Sequence, residues 1–224
     1  ITNIIEKTDA VLMAWHPGTM GGEALYEVIH GVNSPEGRLP VSWPKTAGQL
    51  PFFYNHKNTG RPADSTSFIP MEKIPIAAWQ SSLGNDSHYL DAGFTPHFPF
   101  GYGLTYTSFN YSDMSISKNT IHFNEDLEVK VSIKNTGEKD GKELVQLYVQ
   151  DIVGSITRPV KELKRFKHVF LKSGETREIS FKISSKDLEF VNHKIIKAAE
   201  EGAFNVWVGP NAAQGLKTSF ILQK

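Results

Sequence analysis

Hydrophobic and polar residues alternate through most of the second half of the chain, with turn residues between the alternating runs. Over residues 127–133, Leu, Val and Ile alternate with Glu, Lys and Ser, and the turn Asn135-Thr136-Gly137 follows. Alternation with a period of two is typical of strands that bury one face. The predicted strands are 111–116, 127–133, 145–149, 163–171, 178–183, 204–208 and 218–222. Seven strands in about 120 residues predict an immunoglobulin-like or fibronectin type III-like β-sandwich.

Residues 1–51 follow a different pattern, which predicts one βα unit. Residues 10–15, Ala-Val-Leu-Met-Ala-Trp, are apolar throughout, as in a parallel strand that is buried on both faces. A glycine-rich turn follows, and then a short helix that starts at about Glu23, with Gly31 as its stop. Residues 39–43 could add one short strand.

The βα unit has too few companions to form a sheet. A strand that is apolar on both faces needs neighbours on both sides, and the chain offers at most one more short strand. We therefore expect residues 1–51 to be the end of a longer α/β domain. Alternatively, the segment packs against the β domain and forms its own small layer. The predicted fold class is mainly β: a C-terminal sandwich, preceded by an incomplete α/β segment and a long polar loop over residues 52–100.

Composition excludes several classes of protein. The 24 basic and 24 acidic residues balance, so the electrostatic footprint of a nucleic-acid-binding protein is absent. No apolar run approaches the roughly 18 residues of a membrane span. The chain has no cysteine, which excludes disulfides, thiolate metal ligands and a cysteine nucleophile. The spacings of its eight histidines match no two-histidine helix motif, so we expect neither a metal nor another cofactor.

Several stretches, in order along the chain, resemble the C-terminal part of glycoside hydrolase family 3 enzymes, especially bacterial periplasmic β-glucosidases. They are AWHPGTMGGEA (14–24), NSPEGRLPVSWP (33–44), GQLP (48–51), YNHKNTGRP (54–62), FPFGYGLTYT (98–107), NTG (135–137), VQLYV (145–149), RPVKEL (158–163) and FNVWVG (204–209). One departure is Met20, which stands where the family often has an acidic residue. A polar contact made from that position elsewhere in the family is therefore not expected in this chain.

The resemblance implies an architecture of a (β/α)-barrel, an α/β sandwich domain and a fibronectin type III-like domain. In these terms, residues 1–62 are the end of the α/β sandwich domain, 63–105 a linker or loop region, and 106–224 the fibronectin type III-like sandwich. The barrel and the rest of the α/β domain would be missing partners of this chain. The resemblance also implies a periplasmic or secreted location.

The implied activity is hydrolysis of terminal non-reducing β-D-glucosyl residues with retention, with a β-glucoside or oligosaccharide bound by the full-length enzyme. Such enzymes use two carboxyl groups about 5–5.5 Å apart. In the family the nucleophile is an Asp on the barrel, and the acid/base is usually a Glu upstream of the glycine-rich turn. Neither motif is found in this sequence, so no catalytic residue is assigned and the chain alone is predicted to be inactive.

Two groups of residues are candidates for substrate contacts in the full-length enzyme. Trp15, His16 and Thr19 follow the predicted strand, where ligands of open α/β sheets bind, and the indole could stack on a sugar. Alternatively, Trp15 belongs to the core and His16 only orders the turn. The second group lies in the polar loop 55–61, which is rich in hydrogen-bond donors, and consists of His56, Lys57, Asn58 and Arg61. Alternatively, this loop bonds only to its own backbone and to neighbouring domains.

Two carboxylates near these stretches have structural explanations. We expect Glu23 to serve the helix N-terminus and Asp91 to be a buried structural acceptor. Alternatively, Asp91 lines the site in the full-length enzyme. The alternative function is a non-catalytic carbohydrate-binding or domain-interaction module. Sugar binding by a sandwich usually needs an exposed aromatic platform, for which Trp207 is the candidate.

Overall fold

The computed structural model describes residues 2–58, 60–79 and 86–224. Two α-helices and ten strands lie in this part of the chain. The helices are α1 (Thr2–Ile5) and α2 (Gly21–Ile29), and the strands are β1 (Phe109–Ile116), β2 (Thr120–His122), β3 (Asp126–Asn135), β4 (Gly141–Asp151), β5 (Glu162–Leu171), β6 (Thr176–Ser184), β7 (Phe190–Val191), β8 (Lys197–Ala198), β9 (Gly202–Gly209) and β10 (Leu216–Gln223). None of the described helices is long and apolar enough to cross a membrane.

The strands form a two-layer sandwich. One sheet has the order β1-β3-β6 and the other has the order β2-β10-β9-β4-β5. Strands β7 and β8 form a small two-stranded sheet. Val131 of β3 pairs with Ile179 of β6, and Leu147 of β4 pairs with Val208 of β9, so their inward side chains share one core. All four of these side chains are at most 3% exposed. The core is therefore closed by alternating apolar residues from both sheets.

Strand β4 differs from the other strands because both of its faces are buried from Val145 to Val149. Val145, Leu147 and Val149 point into the sandwich core. The intervening Gln146 and Tyr148 are at most 1% exposed, although they point to the outer face of the sheet. That face is covered by the segment that precedes the sandwich, as described below.

The predicted sandwich is confirmed, and each of the seven predicted runs falls within β1, β3, β4, β5, β6, β9 or β10. The fold class, mainly β with an incomplete α/β segment and a long loop before the sandwich, is confirmed as well. The three strands that were not predicted, β2, β7 and β8, have only two or three residues each. A run that short carries no readable alternation.

The predicted strand at residues 10–15 was wrong for the chain as described. This segment, called the ribbon here, has no regular secondary structure and no strand partner within the described residues. Val11, Leu12 and Met13 are 43–57% exposed. A strand needs a neighbouring strand to satisfy its backbone donors and acceptors. No described segment pairs with the ribbon as a neighbouring strand.

The rest of the first segment is only partly as predicted. The helix α2 forms and ends before Gly31, whose φ of 71° suits a glycine stop. The expected strand at residues 39–43 was wrong, since only an isolated bridge from Trp43 to Phe98 forms there. Residues 52–100 contain one described 3-10 turn, Met71–Lys73, and no strand among their described residues.

Candidate functional site

Trp15 ends the ribbon in an unusual backbone conformation. Its φ is 50°, in the left-handed region, which costs a bulky residue about 1–3 kcal/mol. The indole is half exposed, and its ring meets that of Trp43 edge-on at 6.5 Å between centroids. Trp15 is therefore not a core residue of the described chain, and one side of it is held by another tryptophan.

The turn after Trp15 presents its side chains to solvent. His16, Thr19 and Met20 are exposed, and Gly18 takes a φ of 69° where the chain reverses into α2. Gly21 begins the helix, and a Cβ there would overlap the Pro17 ring. This close approach sets the angle between the turn and the helix. Trp15, His16 and Thr19 are thus all exposed around this turn, and their role in substrate binding stays a prediction.

Two segments of the region before the sandwich pair with each other, and we call residues 38–43 with 97–102 the paired strip. The amide of Leu39 donates to Tyr102 O at 2.8 Å, and the amide of Gly101 donates to Leu39 O at 2.8 Å. Further along, the amide of Trp43 donates to Phe98 O at 2.8 Å. The strip therefore fixes the main chain of Trp43, whose ring supports Trp15.

Gln146 attaches the paired strip to the outer face of β4. Its side-chain amide donates to Gly101 O at 3.1 Å and to Pro210 O at 2.5 Å, and its oxygen accepts from the Tyr148 hydroxyl at 2.5 Å. Gly101 has a φ of 80°, and a Cβ at this position would overlap the Gln146 side chain. Glycine is required here for both reasons. Burial raises the pKa of Tyr148 above its usual value, so its hydroxyl remains a donor.

A buried ion pair makes a second attachment. Arg38 Nη2 lies 2.8 Å from Glu143 Oε2, and the two side chains are 4% and 3% exposed. The other carboxylate oxygen of Glu143 accepts from the Tyr111 hydroxyl at 2.8 Å. Burial, and next the Glu143 charge, raises the pKa of Tyr111. Arg38 Nη1 also donates to Glu36 O and Gly37 O, at 3.2 and 3.1 Å.

Sequence reasoning did not single out Arg38, Glu143 and Gln146, which attach the paired strip to β4. A signal for Gln146 was present: the outer positions of β4 include Leu144 and Tyr148, so the run is apolar on both faces. A polar residue inside such a run requires a buried partner. The partner itself is a backbone carbonyl 45 residues away, which no local pattern indicates.

The polar loop 55–61 runs along the sandwich. The His56 carbonyl accepts from the Val160 amide at 2.9 Å, and Lys57 forms an isolated bridge with Pro159. The exposed His56 ring also contacts the carbonyl of Lys57 at 3.1 Å. The backbone carbonyl of Arg61 accepts from the Ser87 amide at 2.8 Å. Much of the backbone bonding of this loop is thus structural, while the side chains of His56, Lys57 and Asn58 are exposed.

Two clefts border the polar loop. The larger has a volume of about 780 Å³ and lies between the paired strip and residues 50–55, with the aromatic side chains of Trp43, Phe53, Tyr54 and Phe100 in its lining. Tyr54 stacks on Phe100 at 4.1 Å and meets Tyr148 of β4 edge-on. The smaller cleft, about 420 Å³, lies between Asn58 and residues 150–158, which are the end of β4 and the loop after it.

The two candidate groups are held by different supports. Trp15, in the first group, contacts Trp43 of the paired strip, whereas His56 and Lys57 pair with Val160 and Pro159, just before β5. Trp43 and Asn55 both line the larger cleft, which therefore runs from the support of the first group to the start of the polar loop. Thr59, inside the loop, lies outside the described residues.

The remaining candidates take no part in a described reactive cluster. Glu23 and Asp91 are both exposed, and no contact between them occurs in the described part of the chain. Within residues 2–58, 60–79 and 86–224, no group of three or more His, Asp or Glu side chains could hold a metal ion. Trp207 is half-buried, with the ammonium groups of Lys161 and Lys217 at 4.3 and 5.1 Å from its ring centre. The two ammonium groups thus lie close to the ring on which a sugar would have to stack.

Comparisons with protein-family models place both halves of the chain. A model described as the glycosyl hydrolase family 3 C-terminal domain matches residues 1–106. A model described as a fibronectin type III-like domain matches residues 143–212. The first match contains the ribbon and the paired strip, and the second contains most of β4 and all of β5 to β9.

Curated relatives and solved structures agree with these matches. The chain is 38% identical over 217 residues to a periplasmic beta-glucosidase of Salmonella typhimurium, covering 97% of this chain and 26% of that protein. It is 35% identical over 225 residues to a beta-xylosidase of Formosa agariphila, covering 100% of this chain and 28% of that protein. A beta-glucosidase from Listeria innocua, crystallised in complex with glucose, is similar with a TM-score of 0.87 at 36% identity, covering 99% of this chain and 29% of that one. The chain therefore spans about a quarter of the length of these relatives.

Proposed function

Because the chain belongs to glycosyl hydrolase family 3, we propose that it is the C-terminal part of a retaining β-glucosidase. The observation that carries this proposal is the ribbon. An apolar segment with Val11, Leu12 and Met13 about half exposed lies unpaired within the described residues, directly before a turn that carries Trp15 and His16. Apolar exposure of this kind is unfavourable unless another surface covers it. Upstream parts of a longer polypeptide, matching the other three-quarters of the relatives, are the cover that we propose.

The proposed division of labour follows from what the chain contains. The nucleophile and the acid/base, about 5–5.5 Å apart in a retaining enzyme, come from upstream parts of the polypeptide. The proposed domain bounds in this chain are residues 1–62 for the end of the α/β sandwich domain, 63–105 for a linker or loop region and 106–224 for the fibronectin type III-like sandwich. The sandwich has a bracing role: β4 holds the paired strip through Gln146 and Glu143.

The chain contributes to substrate binding at two places in this proposal. The exposed face of Trp15 packs against the C–H groups of a sugar, and His16 and Thr19 donate to its hydroxyls. His56, Lys57, Asn58 and Arg61 form part of the entrance, where their donors meet the outer sugar or the leaving group. The substrate is a terminal non-reducing β-D-glucosyl unit, in line with the relatives that are named beta-glucosidases. A periplasmic or secreted location is proposed from the Salmonella relative.

A non-catalytic carbohydrate-binding module is the weaker alternative. It needs an exposed aromatic platform on the sandwich, and the ring of Trp207 lies close to two ammonium groups. No contact of Trp207 supports sugar stacking. We therefore propose the hydrolase function alone.

Two proteins test the proposal: the present chain, and the longer polypeptide encoded by its complete reading frame. Both are assayed with p-nitrophenyl β-D-glucoside, and the anomer released first is identified by NMR. We expect hydrolysis by the longer protein with the β-anomer as first product, and no hydrolysis by the present chain. Hydrolysis by the present chain, or an α-anomer released first by the longer one, would contradict the proposal. p-Nitrophenyl β-D-xyloside is the matched control for sugar preference.

A further inference from the structure

The ion pair between Arg38 and Glu143 joins two parts of the chain that are 105 residues apart in sequence. Glu143 belongs to β4, and both of its oxygens are engaged, one by Arg38 and one by the Tyr111 hydroxyl of β1. A strand of the other sheet and a residue of the paired strip thus both bind this one carboxylate, and this fixes where its charge lies. Because Glu143 is 3% exposed, water cannot replace Arg38 as its partner without opening the structure.

Arg38 transmits this fixed point to the paired strip. Its guanidinium also donates to the carbonyls of Glu36 and Gly37, so it holds the main chain that leads into the strip. Leu39, the next residue, exchanges main-chain hydrogen bonds with residues 101 and 102. Gly103 packs so closely on the Gly37 carbonyl and the Arg38 side chain that a Cβ there would overlap both. The strip therefore has its register set at this end.

The other end of the strip carries the tryptophan pair. Trp43 is bonded to Phe98 in both directions, since its amide donates to Phe98 O and its carbonyl accepts from the Phe98 amide at 3.2 Å. The Trp43 ring is the described support of Trp15, whose left-handed backbone needs surroundings that hold it in place. A continuous set of contacts thus runs from Glu143 to Trp15.

We infer that Glu143 is a positioning residue that, by holding Arg38, fixes the paired strip and through Trp43 orients Trp15 toward the substrate. The kinetic part of this inference rests on the proposed function, whereas the structural part does not. The two parts are tested separately, so a failure of one is distinguishable from a failure of the other.

The structural part is tested on the present chain by amide hydrogen exchange in E143Q. The control is E178Q, which changes an exposed glutamate paired with Lys130 at 3.1 Å on the outer sheet face. In E143Q, the amides of Leu39, Trp43 and Gly101 should exchange about tenfold faster relative to those of β3 than in the parent chain. In E178Q this ratio should not change. A uniform increase, or no increase in the strip, would overturn the inference.

A second variant, R38M/E143M, separates positioning from the mere burial of charge. Replacing a buried ion pair by apolar side chains of similar volume is often neutral for stability. The expected cost in urea unfolding is therefore that of the buried Tyr111 hydroxyl, which loses its acceptor Glu143, about 1–3 kcal/mol. The directional bonds from Arg38 are nevertheless gone. We expect the exchange rate of the strip amides, divided by that of the β3 amides, to be about tenfold higher in this variant than in the parent chain. Full recovery of strip protection would overturn the inference.

The kinetic part uses R38M/E143M in the longer enzyme. If Trp15 contributes binding shared by substrate and transition state, its misplacement should raise KM for p-nitrophenyl β-D-glucoside about fivefold and change kcat less than twofold. E178Q should leave both constants unchanged. Loosening of the strip with an unchanged KM would overturn the link from the strip to Trp15. An inactive parent enzyme would contradict the proposed function, while the exchange experiment would still decide the positioning role.

Discussion

The sharpest stability prediction concerns Gln146, whose side chain joins three parts of the molecule. Replacing it by alanine, Q146A, removes two donated hydrogen bonds, to Gly101 O and Pro210 O, and one accepted from the Tyr148 hydroxyl. A net value of about 1 kcal/mol per hydrogen bond gives a loss of about 3 kcal/mol in the free energy of unfolding. The orphaned Tyr148 hydroxyl, which is fully buried, acts in the same direction.

Urea unfolding followed by far-UV circular dichroism measures this loss. The matched control is Q150A in the same strand, because Gln150 is less buried and accepts one side-chain hydrogen bond, from Asn205 at 2.9 Å. We expect the control to lose about 0.5–1 kcal/mol. The urea dependence of the unfolding free energy should stay the same in both variants. If Q146A cost less than about 1 kcal/mol, or no more than Q150A, the reasoning that β4 is braced through Gln146 would be refuted.

Three further predictions follow from the core, the charges and the exposed turn. Leu147 is fully buried, so L147A should cost about 2–5 kcal/mol in urea unfolding, against about 0.5 kcal/mol or less for V153A at a position 75% exposed. Burial, and next Lys217, lowers the pKa of Lys161 to about 8. Above that pH the unfolded chain binds more protons than the folded chain, so the urea midpoint should rise between about pH 8 and about pH 9.5. K161M should lack this rise. Equal urea midpoints across this pH range in the parent chain and in K161M would contradict a lowered pKa of Lys161. In the longer enzyme, W15A should raise KM for an aryl β-glucoside about tenfold. In the present chain, W15A should leave the urea midpoint unchanged. An unchanged KM in the longer enzyme would exclude Trp15 from the substrate site.

The sandwich could be predicted because its signal is local. In β3 and β6, Val131 and Ile179 alternate with charged or polar neighbours, and each strand has one wet and one dry face. The period of two follows directly from that environment. Strands such as β7, with two residues, are instead created by a tertiary contact with β8. No periodicity exists in so short a run.

The first segment shows the opposite case, in which the pattern predicts an environment that the described chain does not supply. Residues 10–15 have the composition of a strand buried on both faces, yet no described strand lies beside them. The partners of Glu143 and Gln146 could likewise not be predicted from the sequence. Glu143 meets Arg38 across 105 positions, and Gln146 meets a carbonyl of residue 101. Contacts of that range depend on topology and leave no spacing rule in the sequence.

In the proposed function, the ribbon is a strand of an α/β domain that upstream polypeptide completes. The decisive experiment is amide hydrogen exchange of residues 10–15 in the present chain and in the longer protein. We expect little protection in the present chain and protection greater by a factor of about a thousand in the longer protein, because the same amides become ladder donors there. Equal exchange of these amides in the two proteins would contradict it.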